Sequence, residues 1–165
     1  MVCLGNICRS PLAEGILKNK IEKACLDWEV DSAGTGDYHI GQHPHYLAQK
    51  TAKMYAIDIS CQKARQFQKE DMLRFDRIYV MDNENYEDVK RMSKELWNKE
   101  KVDLLLNELF PGENSDVPDP WFGTEKGFHE VFAMIDKACE RIIASRVGEA
   151  FISSKNISVN FKKSL

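Results

Sequence analysis

Apolar positions along the chain change their spacing several times, and each change marks an element. In "SPLAEGILKNKIEKAC" (10–25), Leu12, Ile16, Leu17, Ile21, Ala24 and Cys25 share one helical stripe. Ser10 stands where an N-cap is expected, and Pro11 suits a first turn whose N–H groups lack intrahelical partners. "DWEVDSAGTG" (27–36) reads as a short strand entering a glycine turn, and "HYLAQKTAKMYAI" (45–57) as a second helix. "DRIYVMD" (76–82) and "KVDLLLN" (101–107) read as strands. Between them, "NENYEDVKRMSKELW" (83–97) reads as a helix capped by Asp82 or Asn83. A loop rich in Pro, Gly and Asp, "LFPGENSDVPDPWFGTEKG" (109–127), leads into "FHEVFAMIDKACERIIAS" (128–145), the most strongly apolar helical face of the chain.

Strands alternating with helices imply a parallel sheet covered on both faces, with ligands bound at the carboxyl ends of its strands. The "VCLGN" junction sits at such an end. No repeat or linker divides the chain, so residues 1–145 are expected to form one domain and 146–165 a tail. Within the tail, "ISVNF" (157–161) alternates like a strand, and its polar surroundings read as a frayed or edge-like terminus.

Composition narrows the field of functions. The 165 residues are 43% hydrophobic and 30% charged, ordinary values for a globular protein. A net charge of -3 argues against general nucleic-acid binding, which needs a basic surface. No apolar run approaches the roughly 18–20 residues of a membrane span, and the first residues lack a signal-peptide core. A cytoplasmic chain without membrane contact is therefore expected. Five cysteines are an odd number and are scattered, which speaks against a secreted disulfide framework. Cys3 and Cys8 have no second pair at a zinc-ligand spacing, and "HPH" (His43, His45) reads as a solvated turn. No metal site is expected.

The first loop holds the chemistry. A phosphate needs convergent N–H donors and a fixed positive charge, and a loop that enters a helix supplies the first. Gly5 allows a sharp turn, and Arg9 offers a planar fork for two phosphate oxygens. The same field favours a thiolate at Cys3. Asn6 and Ser10 are suited to bonding the sulfur and bracing the loop. An isolated Cys-x5-Arg recurs by chance, but here six apt residues share one loop and a helix opens directly after it. Expelling an alkoxide or phenolate also needs a proton donor. Asp119, between two prolines and ahead of two large aromatics, is the best candidate, with Asp116 second.

Taken together, these segments closely resemble the low-molecular-weight protein tyrosine phosphatases up to about Ser145. "VCLGNICRSPLAEGI" carries the resemblance most specifically, supported by "DSAGTG", "AIDISCQKARQF", "FDRIYVMDNEN" and "VPDPWFGTEKGFHEVFAMIDKACE". The resemblance implies a three-layer, doubly wound α/β fold with a four-stranded parallel sheet, helices on both faces and a first strand cut short to Met1 and Val2. It implies Cys3 as nucleophile, Arg9 as phosphate clamp and Asp119 as acid and then base. Leu4, Gly5, Asn6, Ile7, Cys8 and Ser10 would complete the phosphate loop, with Asn6 shaping it and Ser10 bonding the thiolate. Asp82 would help hold the loop, and Cys8 could trap an oxidised Cys3 as a disulfide. Tyr38, Trp121 and Phe122 would wall an aromatic slot for a phosphotyrosine-containing protein substrate. No cofactor is implied, and the oligomeric state is left open.

Three features depart from the family pattern. The residues before Cys3 are fewer than the family's buried first strand, and "ISVNF" is one conceivable substitute. His45 and Leu47 stand where the family usually has aspartate and arginine, leaving Arg65 as a replacement cation. The aromatic pair is Trp121-Phe122 rather than two tyrosines. Alternatives on the same scaffold are a catalytically impaired phosphate-binding module, an arsenate reductase and an arginine phosphatase. The second lacks its downstream relay cysteines here, and the third has threonine where this chain has Ile7.

Overall fold

The computed structural model describes residues 1–159, with side chains through residue 145. Four strands form one parallel sheet: β1 (Val2–Cys3), β2 (Ala33–Gly34), β3 (Ile78–Val80) and β4 (Val102–Leu104), in the order β2-β1-β3-β4. β1 has two residues yet occupies an interior position, because its carbonyls bond alternately to either side. Met1 and Cys3 accept from Ala33 and Thr35 at 3.0 and 2.9 Å, and Val2 accepts from Met81 at 3.0 Å. The α-amino group of Met1 donates to Asp31 O at 3.0 Å, and burial lowers its pKa. Beside it, at the amino end of the strands, lies a cavity of about 650 Å³.

Period-two alternation splits the core into two layers. Cys3, Tyr79 and Met81 face α1 (Arg9–Lys23), α2 (Tyr46–Met54) and α5 (Glu125–Val159). Val2, Ile78 and Val80 face the other way, towards α3 (Asp71–Arg74) and α4 (Asn83–Ser93), together with Met72, Val89 and Val102. The three-layer, doubly wound reading is thereby met. Leu12 and Ile16 of α1 and Phe128 and Ile135 of α5 are fully buried in the same layer. Each such side chain contributes about 1.5–3 kcal/mol.

Element boundaries differ from the sequence reading where local chemistry intervenes. α1 begins at Arg9 with Cys8 as N-cap, and no side chain caps it. Ser10 lies inside the first turn, its hydroxyl turned away towards Cys3. Asp82 is the cap of α4, accepting from Asn85 N–H at 2.7 Å. That helix stops at Ser93 because Lys94 takes φ +50°. The short strand expected within 27–36 narrows to Ala33–Gly34, at the start of the glycine turn. α5 starts three residues earlier than expected and continues to Val159. Residues 157–159 are therefore helical rather than strand-like, while Asn160 and Phe161 lie outside the described residues. Among the described residues the tail contributes no strand beside β1.

Candidate active site

β1 ends at Cys3 and α1 starts at Arg9, so the connecting loop lies at the carboxyl end of an interior strand. Its sharp turn falls at Asn6, which takes φ +53°, and not at Gly5 as the sequence reading had it. Asparagine tolerates that left-handed conformation better than most residues. Here it is locked by its own side chain. Asn6 Nδ2 donates to Ser10 Oγ at 2.9 Å and to Ser32 Oγ at 2.8 Å, while Oδ1 accepts Arg65 N–H at 3.0 Å. What Gly5 provides is room, since a Cβ there would stand 3.0 Å from the His39 ring. Gly34 matters more, because a Cβ on it would come within 2.7 Å of Leu4 O and 3.1 Å of Asn6 N. The loop rests directly on the β2 backbone.

Cys3 is 3% exposed and its sulfur meets two groups of the loop. Ser10 Oγ lies at 3.1 Å, and the Asn6 backbone N–H donates at 3.3 Å. Asn6 already donates to Ser10 Oγ, which leaves the Ser10 proton to serve the sulfur or, at 3.4 Å, the Ala33 carbonyl. Behind this chain stands a pair the sequence reading missed. Ser32 Oγ donates to buried Glu14 at 2.5 Å, and Lys18 balances that carboxylate at 2.5 Å. In sequence, Glu14 and Lys18 look like any solvated i,i+4 pair.

Arg9 is 3% exposed and stretches beneath the loop. Nη1 donates to Asp82 Oδ2 at 2.5 Å and Val117 O at 3.0 Å, and Nη2 donates to Asp119 Oδ2 at 2.9 Å. Nε is buried without an acceptor among the described residues. Burial opposes the guanidinium charge, but Cys3, Asp82 and Asp119 outweigh it and raise the Arg9 pKa. An anion in the slot would meet this donor directly.

Asp119 is half-exposed, and its second oxygen accepts Trp121 N–H at 3.0 Å. Asp116, the rival acid, is committed elsewhere. Its Oδ1 accepts from Asn83 N–H at 2.9 Å and Asn83 Nδ2 at 2.7 Å, tying the loop to α4. Arg65 is not a cation at the mouth. Its guanidinium bonds Asp31 and Asp71, at 3.0 and 2.9 Å, on the far side of Asn6.

A slot of about 180 Å³ collects Cys3, Leu4, Gly5, Ile7, Cys8, Arg9, Tyr38, Asp119, Trp121 and Phe122, all expected from sequence, and adds His39. Asn6 and Ser10 act from behind its wall. Tyr38 and Phe122 are strongly exposed at the rim. Burial, together with Cys3 and Asp119, pushes the Cys8 thiol up, so it stays protonated. All five cysteines are free thiols. The larger cavity at the opposite end of the strands contains none of Cys3, Arg9 or Asp119.

Fold and slot together define an α/β protein with a Cys-x5-Arg anion loop and a carboxylate facing it. The chain belongs to the low molecular weight phosphotyrosine protein phosphatase family, whose sequence profile matches residues 1–152. It is 38% identical to a low molecular weight phosphotyrosine protein phosphatase of Gallus gallus, over 86% of this chain and 90% of that one. The crystal structure of YfkJ from Bacillus subtilis superposes with a TM-score of 0.82 at 37% identity, covering 90% of this chain and 92% of that one. A drosophila arginine phosphatase superposes with a TM-score of 0.81 at 33% identity, covering 88% and 94%.

Proposed function

We propose that this chain hydrolyses phosphotyrosine esters on proteins through a phosphocysteine, with Cys3 as nucleophile, Arg9 as clamp and Asp119 as acid and base. Convergence of those three side chains on one slot is the observation that carries the reading. In the first step the Cys3 sulfur attacks phosphorus as the bond to the phenolic oxygen breaks. Arg9 and the loop N–H groups hold the charge on the phosphoryl oxygens, and Asp119 gives its proton to the departing phenolate. In the second step water attacks the phosphocysteine, its proton passes to Asp119, and inorganic phosphate leaves with the Cys3 thiolate restored. The ion pair between Arg9 and Asp119 has to part for this, since an incoming phosphate takes up the guanidinium and meets the Asp119 charge.

Phosphotyrosine is preferred to phosphoarginine because Ile7, Tyr38, Trp121 and Phe122 build an apolar wall suited to a phenyl ring. A cytoplasmic setting fits free Cys25 and Cys61 on the surface, which a reducing compartment keeps unpaired. No helix among the described residues is long and apolar enough to cross a membrane. Residues 1–145 would suffice for catalysis, with 146–165 as an appendage.

The test is turnover of a phosphotyrosine peptide and of phosphoarginine by the wild type and by Cys3→Ser. Hydrolysis of the peptide by the wild type alone is expected. Faster release from phosphoarginine would move the chain to the other chemistry, and equal activity in Cys3→Ser would remove the phosphocysteine.

A further inference from the structure

His45 lies outside the slot but bridges the phosphate loop, at Ile7, and the segment that carries Asp119, at Trp121. It directly precedes α2, and its N–H donates to Ile7 O of the phosphate loop at 2.7 Å. Its ring stacks on Phe128 of α5 with centroids 5.3 Å apart and planes 11° from parallel. The same ring meets Trp121 edge-on, with a 5.3 Å centroid separation. Trp121 N–H in turn holds Asp119 Oδ1. The ring is thus a wedge between α5 and the segment that carries the acid, on a backbone bonded to the phosphate loop.

Its protonation state is set by a cap. His45 Nδ1 accepts Leu47 N–H at 3.3 Å, which requires a lone pair on Nδ1 and the ring proton on Nε2. A cationic ring would present N–H to N–H there and lose the cap. We propose that neutral His45 is a positioning residue for Asp119, tying the acid's loop, through Trp121, to the phosphate loop, through Ile7, and that protonation releases this tie. The proposal rests on the phosphatase reading above.

Burial lowers the His45 pKa, so the neutral ring is the form present at neutral pH. The titratable and charged groups on the elements packed around it are few. α2 carries Tyr46, whose ring lies 4.7 Å from that of His45, and Lys50, which pairs with Glu125 of α5 at 2.8 Å. α5 also carries His129, 3.8 Å from Glu125. Asp119 and Arg9 are paired to each other, Cys3 and Cys8 belong to the phosphate loop, and His39 lies across the Trp121 ring at 5.6 Å. Among the described residues His45 forms no ion pair of its own, so no carboxylate holds the cation in place.

Two variants separate the ring from the cap. His45→Asn keeps a cap acceptor without the ring, and His45→Phe keeps the ring without the acceptor. Turnover is measured on phenyl phosphate, whose leaving group needs Asp119's proton, and on p-nitrophenyl phosphate, whose leaving group needs it little. For His45→Asn, kcat on phenyl phosphate is expected to fall about tenfold, against about twofold on p-nitrophenyl phosphate. Inhibition by inorganic phosphate stays within about twofold, because the phosphate loop is unchanged. His45→Phe, which keeps the ring but loses the cap to Leu47 N–H as protonation does, should lower the phenyl phosphate rate by a few-fold, between the wild type and His45→Asn.

The second readout is Trp121 fluorescence, taken as the difference between the wild type and Trp121→Phe. It should change in one step as pH falls below the ordinary histidine value of 6.5, and the step should vanish in both His45 variants. Equal losses on the two substrates, or a step that survives in His45→Asn, would overturn the proposal. Should no aryl phosphate be turned over by the wild type, the phosphatase reading fails, and the fluorescence step still decides whether His45 holds Trp121.

Discussion

The phosphate loop and the loop that carries Asp119 face each other across the slot and are built on opposite principles. In the first, Cys3 and Arg9 are each 3% exposed, and Asn6, Arg9 and Ser10 all bond partners inside the fold, Arg9 Nε excepted. In the second, Asp119 is 40% exposed and Phe122 95%, and the anchors lie at the base, where Val117 N–H bonds Met81 O and Asp116 bonds Asn83. A group that stabilises transition-state charge works best when already in place, because reorganisation then costs nothing at the moment of reaction. In the proposed mechanism Asp119 must part from Arg9, donate a proton and later accept one, and that role needs freedom instead. The contrast separates a half of the site built as a fixed template from a half held only at its base.

Substitutions can break that division, and they rank by size. Cys3→Ser should reduce turnover to the detection limit while inorganic phosphate still binds, as read by protection of the thermal midpoint. Asp119→Asn should lower kcat by about 10²–10⁴-fold for phenyl phosphate and much less for p-nitrophenyl phosphate. Loss of phosphate binding in Asp119→Asn would show the Asp119 half to be part of the template. Gly34→Ala is aimed at the fixed half from outside it. With a Cβ 2.7 Å from Leu4 O, the loop must shift, and both kcat and phosphate affinity should fall by at least about tenfold. Phe122→Ala should change KM for a phosphotyrosine peptide by no more than a few-fold with kcat intact, since the ring lies almost wholly in solvent.

The smallest effect is a pH term in stability. The folded His45 pKa lies below its unfolded value, so between the two the unfolded chain binds the extra proton. Stability therefore falls as pH drops from 6.5 towards the lowered value and is unaffected by this residue above 6.5. Thermal midpoints of the wild type and His45→Asn across that window should converge as pH falls, and parallel curves would remove the term.

Much of the slot is legible in the linear chain because it is local. Cys3 to Ser10 are consecutive, and a strand–loop–helix junction with Gly, Asn, Arg and a hydroxyl offers few other uses. Errors arise where one side chain had two plausible duties. Ser10 reads both as a cap and as a partner of the Cys3 sulfur, and only the second duty is found. Gly5 reads as the turn, yet Asn6 turns. Arg65 reads as a spare cation, yet Asp31 and Asp71 hold it, and only its N–H serves the loop. The period-two reading of "ISVNF" fails over 157–159, where the helical run from Glu125 continues instead.

By itself the sequence determined most of the succession of strands and helices and the Cys3-to-Arg9 loop ahead of a helix, since these follow from periodicity and from functional groups a few residues apart, and it offered Asp119 as the candidate acid. Tertiary structure alone decided what joins them. Asp119 meets Arg9 across 110 residues, Asp82 meets Arg9 across 73, and Ser32 links Asn6 to Glu14. Parallel strands need crossover connections, which bring distant segments to one sheet edge. The partners chosen there depend on packing distance, a quantity with no trace in residue spacing.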